Sequence, residues 1–238
     1  MSIAQNVARI RERIALAARR VQRSPEKIIL MGVTKTVPPT RIQEAYEAGV
    51  RVFGENRVQE FARKSEELKH LSDTTWHMIG HLQTNKAVKA AELFAAVDSV
   101  DSIRVADKLN AAAAALGKTI PVLIEINIGS EDAKSGLPAD SPGLQDFLNR
   151  APEFTSLRVR GLMTVPPYDE NPAHSRPYFR RMRKLFEAIA SRRLPGIQME
   201  ILSMGMSHDF EVAIEEGATC IRIGTALFGD RPPARSTN

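Results

Sequence analysis

The sequence predicts an α/β protein built as a single (β/α)8 TIM barrel with an extra N-terminal helix. Short apolar, β-branched runs alternate with helical segments eight times, which is the pattern of parallel strands joined by helices. The length of 238 residues suits one such barrel. Polar residues and glycines gather directly after the apolar runs, at the strand ends where barrels carry their active sites.

The predicted elements run through the chain in order. An amphipathic helix at residues 2–23 comes first, with its apolar residues spaced for one face. Eight strands are then predicted at residues 28–33, 50–53, 75–79, 93–97, 120–126, 159–163, 198–202 and 219–223. Helices are predicted from Thr40 onward and at residues 57–70, 85–91, 102–116, 144–150, 173–192, 210–216 and 225–228. Residues 1–230 are expected to form the barrel domain, and residues 231–238 a disordered tail.

Composition narrows the class of protein. Apolar residues make up 43% and charged residues 26%, which is typical of a soluble globular protein. No apolar run reaches the length of a membrane span and no signal-peptide pattern opens the chain, so we expect a cytoplasmic protein without membrane contact. Cys220 is the only cysteine, which excludes an internal disulfide and a cysteine-based metal site. The basic stretches behind the net charge of +5 lack the interleaved aromatic residues of a nucleic-acid motif, and a modest positive field favours an anionic small ligand.

Lys35 follows the first predicted strand directly. Pro38 and Pro39 stop that strand, so Lys35 is expected at its carboxyl end. An amine held there among apolar neighbours loses solvation of its charged form and becomes a nucleophile toward carbonyl groups. The alternative is a lysine that extends from the strand end into water, and this stretch alone leaves both interpretations open.

The stretches after the seventh and eighth predicted strands have the composition of a phosphate site. The first offers hydroxyl groups and glycine amides at Ser203, Gly205 and Ser207, and the second offers Gly224 and Thr225 at the start of a short helix. Barrels often bind phosphate between these two loops, because glycine permits close approach and a helix N-terminus supplies unpaired N–H groups. Each loop alone is ordinary turn chemistry, but the two together, opposite a strand-end lysine, predict a phosphorylated ligand.

Other polar residues near strand ends allow narrower interpretations. Arg222 lies inside the final strand and therefore needs a partner, either a structural carboxylate or a ligand atom. Asp98 and Asp101 are expected to cap the following helix rather than to act as a catalytic pair. His77 and His81 are separated by strand rather than helix, and no metal site is expected there.

A nucleophilic lysine and a phosphate site together suggest a phosphorylated ligand that carries a carbonyl group. Pyridoxal 5′-phosphate (PLP) satisfies both requirements, because its aldehyde forms a Schiff base with a lysine and its phosphate fixes it in place. A sugar phosphate in a Schiff-base aldolase would satisfy the same two requirements.

The sequence also resembles the YggS/PROSC family, the pyridoxal phosphate homeostasis proteins. The matching motifs occur in order and span nearly the whole chain. They are VTKTVP (33–38), FGENRVQE (53–60), WHMIGHLQTNK (76–86), VDSVDS (97–102), KSG (134–136), GLMTVPP (161–167), LSMGMSHDFEVAIEEGAT (202–219) and IRIGTALFG (221–229).

The resemblance implies a barrel like the N-terminal domain of bacterial alanine racemase, in which Lys35 holds PLP as a Schiff base. It implies that Arg222 faces the pyridine nitrogen, where a guanidinium disfavours protonation and weakens the ring as an electron sink. Lys86 and Lys134 match family lysines linked to secondary cofactor handling. The residues implied to hold the phosphate are Ser203, Gly205, Ser207, Gly224 and Thr225, and those implied to line the pocket are Asn56, Ile79 and Met163.

The function implied by the resemblance is vitamin B6 homeostasis without catalytic turnover. Such a protein keeps free PLP low, passes it to PLP-dependent apo-enzymes and is expected to act as a monomer. The alternative is a PLP-dependent amino-acid racemase. Racemisation needs an acid/base group on each face of the substrate α-carbon. In the resembling racemases the second group comes from an added β-rich domain and a dimer partner, for which no counterpart is expected here.

Overall fold

The computed structural model describes residues 1–129, 131 and 135–229. Within those residues it has nine strands and nine α-helices. The strands are β1 (Ile29–Val33), β2 (Val52–Glu55), β3 (Thr75–Met78), β4 (Ala96–Val100), β5 (Ile120–Asn127), β6 (Leu137–Pro138), β7 (Leu157–Met163), β8 (Ile197–Met206) and β9 (Cys220–Ile223). The helices are α1 (Ile3–Arg20), α2 (Pro39–Glu47), α3 (Val58–Lys64), α4 (Ala87–Leu93), α5 (Ile103–Ala115), α6 (Pro142–Arg150), α7 (Arg176–Ser191), α8 (Phe210–Glu215) and α9 (Thr225–Phe228).

Eight of these strands close into a parallel barrel. Neighbours pair in the order β1, β2, β3, β4, β5, β7, β8, β9, and β9 pairs back onto β1. The remaining strand, β6, adds two residues to the carboxyl end of β5. Parallel strands joined by helices place every strand's carboxyl end at one rim. The predicted (β/α)8 barrel is therefore confirmed.

The N-terminal helix belongs to the outer layer of helices. Ser2 and Gln5 form a reciprocal capping box at its start, which satisfies two amide groups that would otherwise lack partners. Its buried face, which includes Ile3 and Ile10, packs against α2, α8 and α9. Burial of each such side chain contributes roughly 1.5–3 kcal/mol. Asn6 Nδ2 also donates to the Leu227 carbonyl at 2.9 Å, which ties the helix to the segment after β9.

Several predicted boundaries differ from those of the structure. The helix predicted at 57–70 ends at Lys64, and the strand predicted at 93–97 runs from Ala96 to Val100. The two-residue strand β6 was not predicted. The tail predicted at 231–238 lies outside the described residues. In the part of the chain that is described, no helix has the length and apolar character needed to cross a membrane.

Candidate functional site

The candidate site lies at the carboxyl ends of the barrel strands. Lys35 comes two residues after β1, Asn56 directly after β2 and Ile79 directly after β3, and all three are half-buried. Gly80 allows the segments of Asn56 and Ile79 to lie close together, because a Cβ atom at position 80 would lie 2.3 Å from the Asn56 carbonyl oxygen. Met163 is the last residue of β7 and is buried.

The stretch predicted as the loop after the seventh strand is partly strand. Ser203 and Gly205 lie within β8, which continues to Met206, and of the three phosphate residues predicted in this loop only Ser207 follows the strand. The pairing of β8 with β9 shifts register between Ser203 and Met206. Gly205 takes a φ of +94° inside this irregular stretch, a conformation that favours glycine. A short apolar run does not reveal that a strand continues through such a bulge.

Arg222 is a fully enclosed cation in β9. Its Nη1 donates to Ser203 Oγ at 2.8 Å and its Nη2 donates to the Thr164 carbonyl oxygen at 2.7 Å. The side chain is buried, with 3% of the residue exposed. Both hydrogen-bond acceptors are neutral groups. A structural carboxylate, which was one of the two expected partners of Arg222, accepts neither of these two bonds.

Carboxylates surround Arg222 at longer range. Burial lowers the pKa of Arg222, and the negative fields of Asp98, Asp209 and Glu125 act against that lowering. Asp209 is itself held by the amide of Met206, which donates to its Oδ1 at 2.7 Å. The guanidinium therefore keeps its charge through a field of several acids rather than through one ion pair.

The two predicted phosphate segments meet through one hydroxyl group. Ser207 Oγ accepts from the amide of Gly224 at 3.3 Å and from the amide of Ala226 at 3.1 Å. Thr225 is exposed to solvent and Gly224 is half-buried. The structure thus brings Ser207 and Gly224 together, with a serine hydroxyl against the first amides of α9.

A cavity of about 320 Å³ opens at this rim. Asn56 and Ile79 are the two predicted site residues in its described lining. Asn56 Oδ1 is buried and has no hydrogen-bond partner in the structure. A buried acceptor without a donor is costly, so this atom suits a ligand that supplies one. The other described residues of the lining are Gly80, His81, Glu125, Ile126, Ser135 and Val165.

Glu125 is a site residue that the sequence analysis did not single out. Its Oε1 accepts from Ser135 Oγ at 2.8 Å, while its Oε2 is buried without a partner. Burial raises the pKa of this carboxyl, and the Ser135 hydroxyl and the field of Arg222 oppose that rise. A charged residue inside an otherwise apolar strand is the signal that could have identified it, as it did for Arg222.

The prediction that Asp98 and Asp101 cap a helix is wrong. Asp98 lies inside β4 and accepts from His77 Nδ1 at 3.0 Å, and Asp101 pairs with His81 Nδ1 at 2.8 Å. The cap of α5 is Ser102, whose hydroxyl accepts from the Val105 amide. Because β4 begins three residues later than predicted, Asp98 moves from the strand end into the barrel.

The His77–Asp98 pair lies within the barrel. Burial alone would lower the pKa of His77, but the charge and hydrogen bond of Asp98 raise it above the ordinary value of 6.5. Cys220 is buried in β9, and burial raises the pKa of its thiol to about 12. A thiol with that pKa stays protonated and is a poor nucleophile.

Lys86 and Lys134 are the two lysines for which the family resemblance implies a role in secondary cofactor handling. Lys86 ends a short 3-10 helix and lines a second cavity of about 380 Å³, which also includes Asn56, Arg57 and His81. Lys134 lies outside the described residues.

Comparison with known proteins gives the family. Residues 5–232 match the family model of the alanine racemase N-terminal domain. The alanine racemase of Streptomyces coelicolor A3(2) shares the fold with a TM-score of 0.72 at 19% identity, over 95% of this chain and 59% of that chain. The chain is 45% identical over 231 residues to the pyridoxal phosphate homeostasis protein of Aquifex aeolicus, covering 97% of this chain and 99% of the relative.

A solved relative extends the comparison. PipY of Synechococcus elongatus PCC7942, whose structure has PLP bound, is 38% identical with a TM-score of 0.79, over 92% of this chain and all of that chain. The chain therefore belongs to the family of pyridoxal phosphate homeostasis proteins, which has the barrel of the alanine racemase N-terminal domain.

Proposed function

We propose that this protein binds PLP through a Schiff base on Lys35 and acts in PLP homeostasis and delivery, without catalytic turnover. The observation that carries the proposal is the pairing of β1 with β9. Gly32 of β1 lies opposite Ile223, the residue after Arg222, so the strands that present Lys35 and Arg222 are direct neighbours. The PLP-bound relative PipY, alike over its full length, supports the choice of ligand.

The residues present fit the cofactor. The neutral acceptors of Arg222 leave its positive charge available to an electron-rich ring atom. Asn56 Oδ1, buried and unpaired at the cavity wall, provides an acceptor for a ligand donor. The residues proposed to hold the phosphate are Ser203, Gly205, Ser207, Gly224 and Thr225, and those proposed to line the pocket are Asn56, Ile79 and Met163.

Arg222 is the residue that argues against turnover. PLP, when bound, supplies an electron sink for carbanion chemistry if its pyridine nitrogen is protonated. A guanidinium beside that nitrogen repels the proton and weakens the sink. Because Arg222 is hydrogen-bonded on two of its nitrogens, it cannot turn away without leaving buried acceptors unpaired.

The second candidate function is that of a PLP-dependent amino-acid racemase. The barrel shared with alanine racemases favours it, although at 19% identity that likeness concerns the fold alone. Turnover of amino acids is the property that separates this candidate from a binder.

Titration of the purified protein with PLP, followed by a racemisation assay, tests the proposal. We expect a yellow absorption band that saturates at one PLP per chain, and no conversion of L-alanine, L-serine or L-glutamate to the D-enantiomer. A matched Lys89→Met control should behave as the wild type, since Lys89 is exposed and forms a surface ion pair with Glu92. Steady racemisation would favour the enzyme, and the absence of a band would exclude both.

The proposed setting of this activity is the cytoplasm. There a monomer would exchange PLP with PLP-dependent apo-enzymes. Transfer of PLP from the loaded protein to an apo-enzyme, faster than its spontaneous loss to buffer, is the result expected of a delivery protein.

A further inference from the structure

A buried ionic cluster lies behind the segment that carries Lys35. It consists of Lys64 at the end of α3 together with Glu55 and Glu60, and we call it the Lys64 cluster. Lys64 Nζ lies 2.7 Å from Glu55 Oε1 and 2.8 Å from Glu60 Oε1. The Glu55 side chain is fully buried and that of Lys64 is 11% exposed. None of the three lines the cavity at the barrel rim.

The Lys64 cluster holds the backbone on both sides of Lys35. Lys64 Nζ donates to the Thr34 carbonyl oxygen at 2.9 Å and to the Val37 carbonyl oxygen at 3.3 Å. Glu60 Oε1 accepts from the Thr36 amide at 2.6 Å. The Lys64 ammonium therefore fixes Thr34, directly before Lys35, and Val37, two residues after it. The Glu60 carboxylate fixes Thr36, directly after Lys35.

The segment needs this support because its backbone is unfavourable. Thr36 has a φ of +62°, which is uncommon for any residue with a side chain and most costly for a β-branched one. Strained conformations persist only where the surroundings determine them, and they concentrate at functional positions. Here the strained residue directly follows Lys35.

Stability alone does not explain a buried cluster of this kind. The buried carboxylate of Glu55, the partly exposed carboxylate of Glu60 and the Lys64 ammonium lose hydration, and apolar side chains of similar volume are often as stable or more so. Glu55 Oε2 has no partner, and burial raises the pKa of Glu55 against the opposing field of Lys64. What the cluster provides that apolar packing cannot is a set of donors and acceptors aimed at the backbone of residues 34–37.

We infer that Lys64, supported by Glu55 and Glu60, is a positioning residue that fixes the Lys35 backbone for bonding to the carbonyl of the ligand. This inference rests on the proposed function. In the step concerned, the neutral Lys35 amine forms a C=N bond to the aldehyde carbon, and the aldehyde oxygen leaves as water with the two amine protons. Misplacement of the amine by about 1 Å slows such a step by up to about 100-fold.

The test separates positioning of Lys35 from binding in the pocket. Cofactor-free wild type and Lys64→Met are mixed with PLP, and the rate at which the yellow absorption band appears is measured by stopped-flow absorbance. Affinity for pyridoxine 5′-phosphate, which keeps the ring and phosphate but has an alcohol in place of the aldehyde, is measured in parallel. Lys89→Met serves as the matched control, and Lys64→Arg tests rescue by a retained charge.

We expect the yellow band to appear about tenfold more slowly or slower still in Lys64→Met than in the wild type, and at an intermediate rate in Lys64→Arg. Affinity for the alcohol analogue should change less than about twofold. If Lys64→Met does not fold, Glu60→Ala gives the same readout, because its side chain is partly exposed yet bonds Thr36. Equal rates in a folded Lys64 or Glu60 variant and in Lys89→Met overturn the inference alone. Absence of the band in wild type overturns the proposed function and the inference with it.

Discussion

Replacing Arg222 with methionine probes the centre of the candidate site. The change removes both hydrogen bonds of the guanidinium and keeps an unbranched side chain. The Thr164 carbonyl oxygen then loses its donor at 2.7 Å inside the barrel, and an unpaired buried acceptor costs about 1–3 kcal/mol. Ser203 Oγ also loses its donor at 2.8 Å, but its own hydroxyl can still donate to the Cys220 sulfur. We therefore expect Arg222→Met to lower the free energy of unfolding by about 1–3 kcal/mol.

Two electrostatic effects of the Arg222→Met change act on stability in opposite directions. Loss of a buried guanidinium relieves its desolvation, which alone would stabilise the variant. The fields of Asp98, Asp209 and Glu125, which favour the charged arginine in the wild type, are then left uncompensated. Glu125 should respond with a still higher pKa, since burial raises that pKa in the wild type and the field of Arg222 opposes the rise. We expect these two effects to offset each other and leave the unpaired carbonyl as the net cost.

Urea unfolding of the cofactor-free protein, followed by circular dichroism, measures the cost of Arg222→Met. Arg183→Met is the control, because Arg183 pairs with Glu187 on the surface and half of its side chain is exposed. Surface changes of that kind stay within about 0.5 kcal/mol. Equal or greater stability of Arg222→Met than of the wild type would contradict this expectation, because the buried charge would then cost more than its hydrogen bonds contribute.

Three further variants test other parts of the account. Gly205→Ala places a Cβ atom 2.5 Å from Ala213 Cβ at a φ of +94°, so we expect a loss of roughly 1–3 kcal/mol by thermal unfolding, and an unchanged melting temperature would contradict the strained backbone. His77→Gln removes a pair with Asp98 whose stabilisation is complete below the ordinary pKa of 6.5 and is lost as pH rises through the raised folded pKa. The stability gap between wild type and His77→Gln should therefore shrink above about pH 6.5 in urea titrations, and a gap that grows with pH would contradict the assignment. Lys35→Ala should abolish the yellow band and leave the melting temperature within a few degrees, since Lys35 lies at a strand end outside the core.

The barrel was predictable because its signals are local and repeated. Each β-branched run is followed by a helical period, and each strand end carries polar residues, so the place of Lys35 could be read without the structure. The position of Ser203 and Gly205 inside β8 could not be predicted from the sequence, because the strand continues through a register shift that depends on its neighbour β9.

Side-chain pairs between separate elements of the barrel could not be predicted from the sequence either. The sequence predicts a helix cap at Asp98 because nothing local shows that the His77 side chain of the neighbouring strand β3 hydrogen-bonds to it. Glu60 and Lys64 are four residues apart on α3, a spacing that normally indicates an exposed helix pair. Only the tertiary fold turns that pair inward toward Thr34 and Thr36.

Borohydride reduction of the PLP-loaded protein, followed by peptide mass mapping, identifies the lysine that binds PLP. Reduction converts a Schiff base into a stable amine, so the modified peptide identifies the lysine. The account predicts that the yellow band disappears and that the reduced adduct lies on Lys35 alone at one equivalent of PLP. An adduct on another lysine with Lys35 unmodified, or a protein that takes up no PLP, would contradict it.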